Sequence, residues 1–395
     1  MAIPFRVLAL LLAPLLLAGC VEVMRPDTDA AFRTMLPQEA VAIASTRDAD
    51  REGVASAPVP TSPMVRQTVL ALSGGGVDGA YSVGVLNGWT ATGRRPVFDV
   101  VTGVSTGALV AVYAFLGPAY DAKLRELYLA ADRMDIFRKR GLEGLLSDSL
   151  LDNTPLKRQI EREVTQGLLD RVAAEHARGR RLYIATTNLD GGQLVVWDMG
   201  YLASGGGDGR TDALQQFQKV LRASSAIPVF FPPVDIKPQR GLQLRQAHVD
   251  GAVKTPVLVS DFIFERPAAN RRLYVIVNGH LEARDAFEPV RPNLRAIAGK
   301  SVAALTRSLV RDKVFAAYVK AANTDTRFRL TAIPEALPPP ESSLGFDMDY
   351  LRTIYRAGYE GVQRPDFWWS EPPGLTRFGR VRGSRAGAKA STGTR

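Results

Sequence analysis

From Val65 onward the chain alternates between short apolar runs and longer stretches whose apolar residues recur at helical spacing. Thr68–Leu72, Phe98–Thr102, Arg181–Thr187, Leu194–Asp198, Leu242–Val249, Arg272–Asn278 and Arg327–Ala332 read as strands. Between them, Ala80–Trp89, Thr106–Leu116, Ala119–Ala131, Pro155–Arg178, Thr211–Ala223, Arg291–Leu309 and Phe346–Val362 read as helices. Such alternation predicts an α/β fold with a mostly parallel central sheet and helices on both faces, a three-layer α/β/α arrangement. Pro155–Arg178 carries the clearest helical signal. Thr154 is placed to cap it, Pro155 suits its first turn, and Leu156, Ile160, Val164, Leu168 and Val172 form one apolar stripe. Arg133–Asn153 is less regular, with leucines interleaved among Arg138, Lys139 and Arg140, and reads either as a lid over a site or as a packed surface loop.

The two ends depart from this pattern. Arg6 precedes the apolar stretch Val7–Leu17, which is too short to span a bilayer and suited to a secretory signal. It closes on Leu17-Ala18-Gly19-Cys20, and Cys20 is the chain's one cysteine. This arrangement resembles a bacterial lipoprotein signal, which implies residues 1–19 as the signal and lipidation, of the palmitate kind, at Cys20. With that thiol used, the rest of the chain has none for a disulfide and must be held by packing. Val21 is no obvious inner-membrane retention signal, so the resemblance implies the outer membrane, facing the periplasm. Residues 20–64 read as a linker, with Ser56–Pro63 an extended spacer. Residues 65–365 form the expected folded domain, and 366–395 a basic, disordered tail.

Composition narrows the partners. The chain has 395 residues, 46% hydrophobic and 23% charged, enough to build a sizeable core. Its net charge is +10, and six of the basic residues lie between Pro372 and Arg395, where there is no acid. That tail reads as solvated, with an anionic membrane surface as its first candidate partner. No nucleic-acid motif accompanies it, so nucleic acid is not expected as a partner. Trp368 and Trp369 read as packing on the domain, with a place at a bilayer interface as the alternative.

The chemistry sits at strand ends. Gly103-Val104-Ser105-Thr106-Gly107 joins an apolar strand to an apolar helix. At such a sharp turn the serine side chain is pushed out, and the flanking glycines keep Cβ atoms out of the bend. The helix that follows aims its N–H groups and positive dipole end at the same spot, favouring an oxyanion. Upstream, Gly74-Gly75-Gly76-Val77-Asp78-Gly79 again lies between a strand and a helix, and downstream Val249-Asp250-Gly251-Ala252 ends a strand on a carboxylate. Nucleophile, oxyanion loop and acid together point to a serine hydrolase. Taken by spacing alone, Asp250 is equally an Asp-Gly turn residue.

In this order the motifs resemble the patatin-like phospholipase family, from Val65 to Gln363. Ala223–Pro233 resembles the family's stretch before its aspartate. The resemblance implies a patatin-like fold and acyl hydrolysis of phospholipids or related lipids without cofactor or metal. It also implies Ser105 and Asp250 as a dyad without histidine, and oxyanion donors at Gly74, Gly75 and Gly76. Gly79, Gly103, Gly107, Gly251 and Ala252 complete the motifs. Membrane lipids are then both substrate and anchoring surface, and a protein activator is left open. Where the family usually carries Arg or Lys, this chain has Asp78, and where an Asn often follows the acidic motif it reads Lys254-Thr255-Pro256.

Other readings stay open on sequence. Ser105, Asp250 and His280 follow the nucleophile–acid–histidine order of α/β-hydrolases, so an esterase or thioesterase triad is one alternative. His248 shares a strand face with Asp250 and reads as a pocket neighbour, whereas His176 reads as a solvated helix residue. A lipid-binding or scaffolding lipoprotein with little turnover is another. Gly74-x-Gly76-x-x-Gly79, with Asp99 further on, also fits the dinucleotide fingerprint, although the acid begins the second strand rather than ending it. There is no clustered metal-ligand motif.

Overall fold

The computed structural model describes residues 53–55, 64–129, 138–139, 151–205, 212–237, 245–281, 290, 294–340 and 347–373. The expected signal, Cys20, the Ser56–Pro63 spacer, most of the Arg133–Asn153 segment and most of the tail lie outside them.

The chain begins with β1 (Gly53–Ala55), β2 (Met64–Leu72), α1 (Gly79–Ala91), β3 (Val100–Val104), α2 (Thr106–Leu116) and α3 (Asp121–Leu129). A small hairpin follows, β4 (Arg138–Lys139) with β5 (Leu151–Asp152), then α4 (Thr154–Glu163) and α5 (Gln166–Ala177). Next come β6 (Arg181–Asn188), β7 (Gln193–Asp198), α6 (Met199–Ala203), α7 (Ala213–Ser224), β8 (Val234–Ile236) and β9 (Gln246–Asp250). The chain closes with β10 (Ala268–Val277), α8 (Leu294–Asn323), β11 (Arg327–Ala332) and α9 (Met348–Gly361).

The main sheet runs β1-β7-β6-β3-β2-β10-β11, with β9 and β8 added beside β6. Pairing is parallel from β6 through β3, β2 and β10 to β11, and antiparallel where β6 meets β7 and β9. Side-chain alternation explains why both faces are covered. Leu70, Leu72, Val101, Ile184 and Ile276 point into one core, shared with α1, α2, α5, α7 and α9. Val69, Ala71, Val100, Leu273 and Val275 point into the other, closed by Val310, Val314, Ala317 and Ala321 of α8. The expected α/β class with a mostly parallel sheet and helices on both faces is what the chain builds.

Two helices differ from the sequence reading. Pro155–Arg178 is not one helix: it breaks at Val164 and Thr165, where Thr165 is extended at φ −96° and ψ 168°. Two β-branched residues followed closely by Gly167 make a weak helical stretch. The apolar stripe survives the break, since Leu156, Ile160, Val164, Leu168 and Val172 are all buried. Arg291–Leu309 is instead a helix of 30 residues, because the core-facing series from Val310 to Ala321 prolongs it. Strand β8 was not legible, being three residues long after Pro232-Pro233. Trp368 packs as expected, its ring centroid 4.9 Å from Trp89 and 5.1 Å from Tyr274.

Candidate active site

Strand β6 brings the serine and the carboxylate together. Its first half pairs with β3 as far as Val104 opposite Ala185. Where β3 turns away into α2, β9 takes its place along β6, with Asp250 opposite Thr186. Ser105, one residue past Val104, and Asp250, one position further along β6, therefore lie at the same sheet end. Ser105 is near enough to the Asp250 carboxyl to favour its ionised form, and that carboxyl accepts from the Ala252 N–H at 2.8 Å.

Ser105 is held in an unusual backbone. Its φ is 56° and ψ −128°, a left-handed conformation that costs a non-glycine residue about 1–3 kcal/mol. The surroundings impose it. The Ser105 N–H donates to Ser224 Oγ at 3.0 Å, the Ser225 hydroxyl reaches the Ser105 carbonyl at 3.5 Å, and both serines sit at the end of α7. Gly103 and Gly107 are as tightly constrained as the motif implies. A Cβ on Gly103 would lie 2.7 Å from Ala108 Cα, and one on Gly107 would meet the Leu72 and Ser73 carbonyls.

The glycine-rich loop lies against the serine, for a Cβ on Gly74 would come 3.1 Å from Ser105 Cβ and 3.6 Å from that of Ala252. One expectation needs correcting. The Gly74 N–H donates to the Pro256 carbonyl at 3.1 Å, so this amide is already engaged and is not presented to a substrate oxygen. Among the described residues no acceptor meets the Gly75 and Gly76 N–H groups. Gly76 itself has φ 59°. Asn278, at the end of β10, holds the loop. Its N–H donates to Ser73 Oγ and its Nδ2 to the Ser73 carbonyl, both at 2.8 Å, while its Oδ1 accepts from the Ser82 N–H at 3.2 Å. A Cβ on Gly75 would collide with the Asn278 carbonyl. Gly79 and Gly251 are also close approaches, to Thr106 and to the Ala185 carbonyl.

Burial tunes two carboxyls. Asp250 is 3% exposed, and loss of water pushes its pKa up to about 7, against the lowering effect of the neighbouring Ser105 side chain and of the Ala252 N–H. Asp78 is also buried and is likewise pushed up to about 7, partly offset by the Tyr350 hydroxyl, which donates to its Oδ1 at 2.6 Å. Asp78 therefore faces α9.

The histidines lie elsewhere. His280 Nδ1 is 3.7 Å from Glu335, and among the described residues no imidazole is bonded to the Asp250 carboxyl. His248 is fully buried under the sheet end, its pKa pushed down to about 4 by desolvation, with Thr186 Oγ1 at 2.9 Å from its Nδ1. His176 is not solvated: it packs on Gly200 with Nδ1 3.4 Å from Asp198. Asp99 accepts from the Thr68 N–H at 2.7 Å, at the amino ends of the strands and so opposite the glycine loop, where no dinucleotide ribose could meet it. Among the described residues no three His, Cys, Asp or Glu converge as a metal site, and no helix is long and apolar enough to cross a membrane.

A cavity of about 120 Å³ opens at Gly76 and Ser105 and runs between α2, α3 and α4. Leu109, Leu124, Ile160 and Phe231 make its walls mostly hydrocarbon. Three residues that position this site carried no role in the sequence reading: Ser224, Asn278 and Tyr350. Only Ser224 had a local signal, lying within the Ala223–Pro233 stretch.

Comparison with known proteins agrees with the motifs. The patatin-like phospholipase family model matches residues 70–263. No curated protein matches the chain significantly. Among solved structures, VipD from Legionella pneumophila is 14% identical with a TM-score of 0.38, covering 76% of this chain and 66% of its own. ExoU of Pseudomonas aeruginosa, solved with SpcU, is 17% identical with a TM-score of 0.28, covering 64% and 52%. Human GIVD cytosolic phospholipase A2 is 13% identical with a TM-score of 0.26, covering 62% and 46%. The chain thus spans just under two thirds of the first of these proteins and about half of the other two. Residues 70–263 are thus a patatin-like phospholipase domain.

Proposed function

We propose that the protein is a lipid acyl hydrolase in which Ser105 is the nucleophile and Asp250 its general base. The observation that carries this reading is the adjacency of Ser105 and the buried Asp250 carboxyl at one sheet end, where Ser105 lines a hydrocarbon-walled cavity. Asp250 takes the Ser105 hydroxyl proton as Oγ bonds to the ester carbonyl carbon. The oxyanion is met by the Gly75 and Gly76 N–H groups, aided by the N-terminus of α2. Collapse breaks the carbon–oxygen ester bond, and the leaving alcohol takes the proton from Asp250. Water then adds to the acyl-serine, giving its proton to Asp250, and the acid departs with Ser105 restored. A raised pKa makes Asp250 a stronger base than a solvated carboxylate, which lets it act without imidazole. The cavity accepts an acyl chain, so the substrate class is a carboxylic ester of a lipid.

Attachment through a lipidated Cys20, at the periplasmic face of the outer membrane, belongs to the same proposal and rests on the N-terminal sequence. Membrane lipids then serve as substrate and as anchoring surface. The test is labelling by a fluorophosphonate probe. Wild type and His280→Ala should label, whereas Ser105→Ala and Asp250→Asn should not. Folded wild type that stays unlabelled would give the lead to a lipid-binding lipoprotein, and loss in His280→Ala would restore the triad.

A further inference from the structure

Helix α8 is apolar on two opposite faces. Its inner face, Val310, Val314, Ala317 and Ala321, closes the second core. At 100° per residue, Ile297, Leu305, Phe315 and Val319 fall on the opposite side. They are among the exposed large hydrophobics of the protein, Leu305 at 71% and Phe315 at 48%. Cations border this outer stripe along both edges, Lys300, Arg307 and Arg311 on one and Lys313 and Lys320 on the other. The whole helix carries six basic residues and one acid, Asp312, which lies on the stripe.

The helix also outruns the sheet. Among the described side chains its core contacts begin at Val310, and of those from 297 to 308 all but Thr306 are exposed. The stretch 297–308 is about 18 Å long. Its direction follows from topology. Strands β10 and β11 are parallel, so α8 must start beyond the carboxyl end of β10 and return to the amino end of β11. Lys320, near its C-terminus, bridges Asp261 at 2.9 Å. The projecting half therefore lies toward the sheet end that holds Ser105 and Asp250.

We propose that the outer face of α8 docks on an anionic lipid bilayer, with the apolar stripe entering the interface and the flanking cations meeting head groups. Charge argues for this occupant over a second copy of the chain. Self-pairing of the face would set cations against cations along both edges, with Asp312 the one acid of the helix to compensate. An anionic surface is complementary to both edges at once. This inference concerns how the proposed hydrolase reaches its substrate, but its test does not depend on hydrolysis.

A single thiol is placed at Leu305→Cys in the full chain with Cys20→Ser and Ser105→Ala, and labelled with an environment-sensitive dye. The expected result is a several-fold rise in emission on adding vesicles of phosphatidylcholine mixed with phosphatidylglycerol. Vesicles of phosphatidylcholine alone should give a much smaller rise. Neutralising Lys300 or Arg307, as Lys300→Gln or Arg307→Gln, should weaken vesicle binding about five-fold for each cation lost. Emission that does not change on anionic vesicles overturns the proposal, even if a leader or anchor brings the protein to the membrane. So does emission already raised without lipid and dependent on protein concentration, because a second copy would then cover the face. With Ser105 intact, Leu305→Ser and Phe315→Ser should lose hydrolysis of vesicle lipid while keeping that of a soluble short-chain ester. Loss of both together with fluorophosphonate labelling would point to the hydrolase reading rather than to the docking face.

Discussion

At Asp250 the shortage of water matters as much as the neighbours. With a pKa of about 7 the carboxyl is half ionised near neutrality, and the proposed mechanism needs the ionised form. The kcat/KM for a soluble ester should rise with pH to about 7 and level off above it. Asp78 titrates in the same range, so the profile must be repeated in Asp78→Asn, where it should keep its midpoint. A midpoint that moves with Asp78 would assign the limb to the wrong carboxyl. Asp78 has its own signature in stability. Its folded pKa lies above its unfolded value, so the native state holds the proton more tightly and loses stability as pH rises from about 4 to about 7. Asparagine can still accept from Tyr350 and carries no charge to bury. Asp78→Asn should match wild type below about pH 4 and exceed it at about pH 8 by up to about 4 kcal/mol, an upper bound for a shift near three units. Urea midpoints at the two pH values check this. The glycine and serine motifs were legible because local backbone geometry demands those residue types. The roles of Ser224, Asn278 and Tyr350 were not, because their partners lie 119, 205 and 272 residues away, and only Ser224 has a motif nearby to mark it.

Among the elements, α1 and α9 pack more closely than side chains would allow. A Cβ on Gly84 or Gly88 would strike the Tyr355 or Tyr359 carbonyl, and one on Gly358 would lie 2.8 Å from the Val85 nitrogen. This contact sets the height of Tyr350 over Asp78, and so couples the last helix to the glycine loop. Gly84→Ala should destabilise the protein by at least about 2 kcal/mol despite alanine's better helix propensity, read as a lower urea midpoint. An unchanged midpoint would mean that the two backbones part without penalty. Helix identity was legible from period, as Thr106–Leu116 shows. Helix length was not, as the split at Val164 and the extension to Asn323 show. A stripe reports which residues face the core, and it continues whether or not the backbone between them stays helical.

For the molecule as a whole, alternation of strand and helix was enough to read a mostly parallel sheet with two covered faces. The order of its strands was not readable. Sequence neighbours β8 and β9 join beside β6, and β2 lies between β3 and β10, because pairing depends on crossovers that no local window contains. One strand, β6, carries both halves of the candidate pair, Ala185 holding the end of β3 and Thr186 the end of β9. The reach from serine to carboxylate is thereby a step along a single backbone, about 3.3 Å per residue. Of the chain connecting the two partners, only β6 and the end of α7 have a say in it. The loops elsewhere in that stretch are free to lengthen or be cut, and two fragments that kept these elements could still assemble the pair on the same ruler.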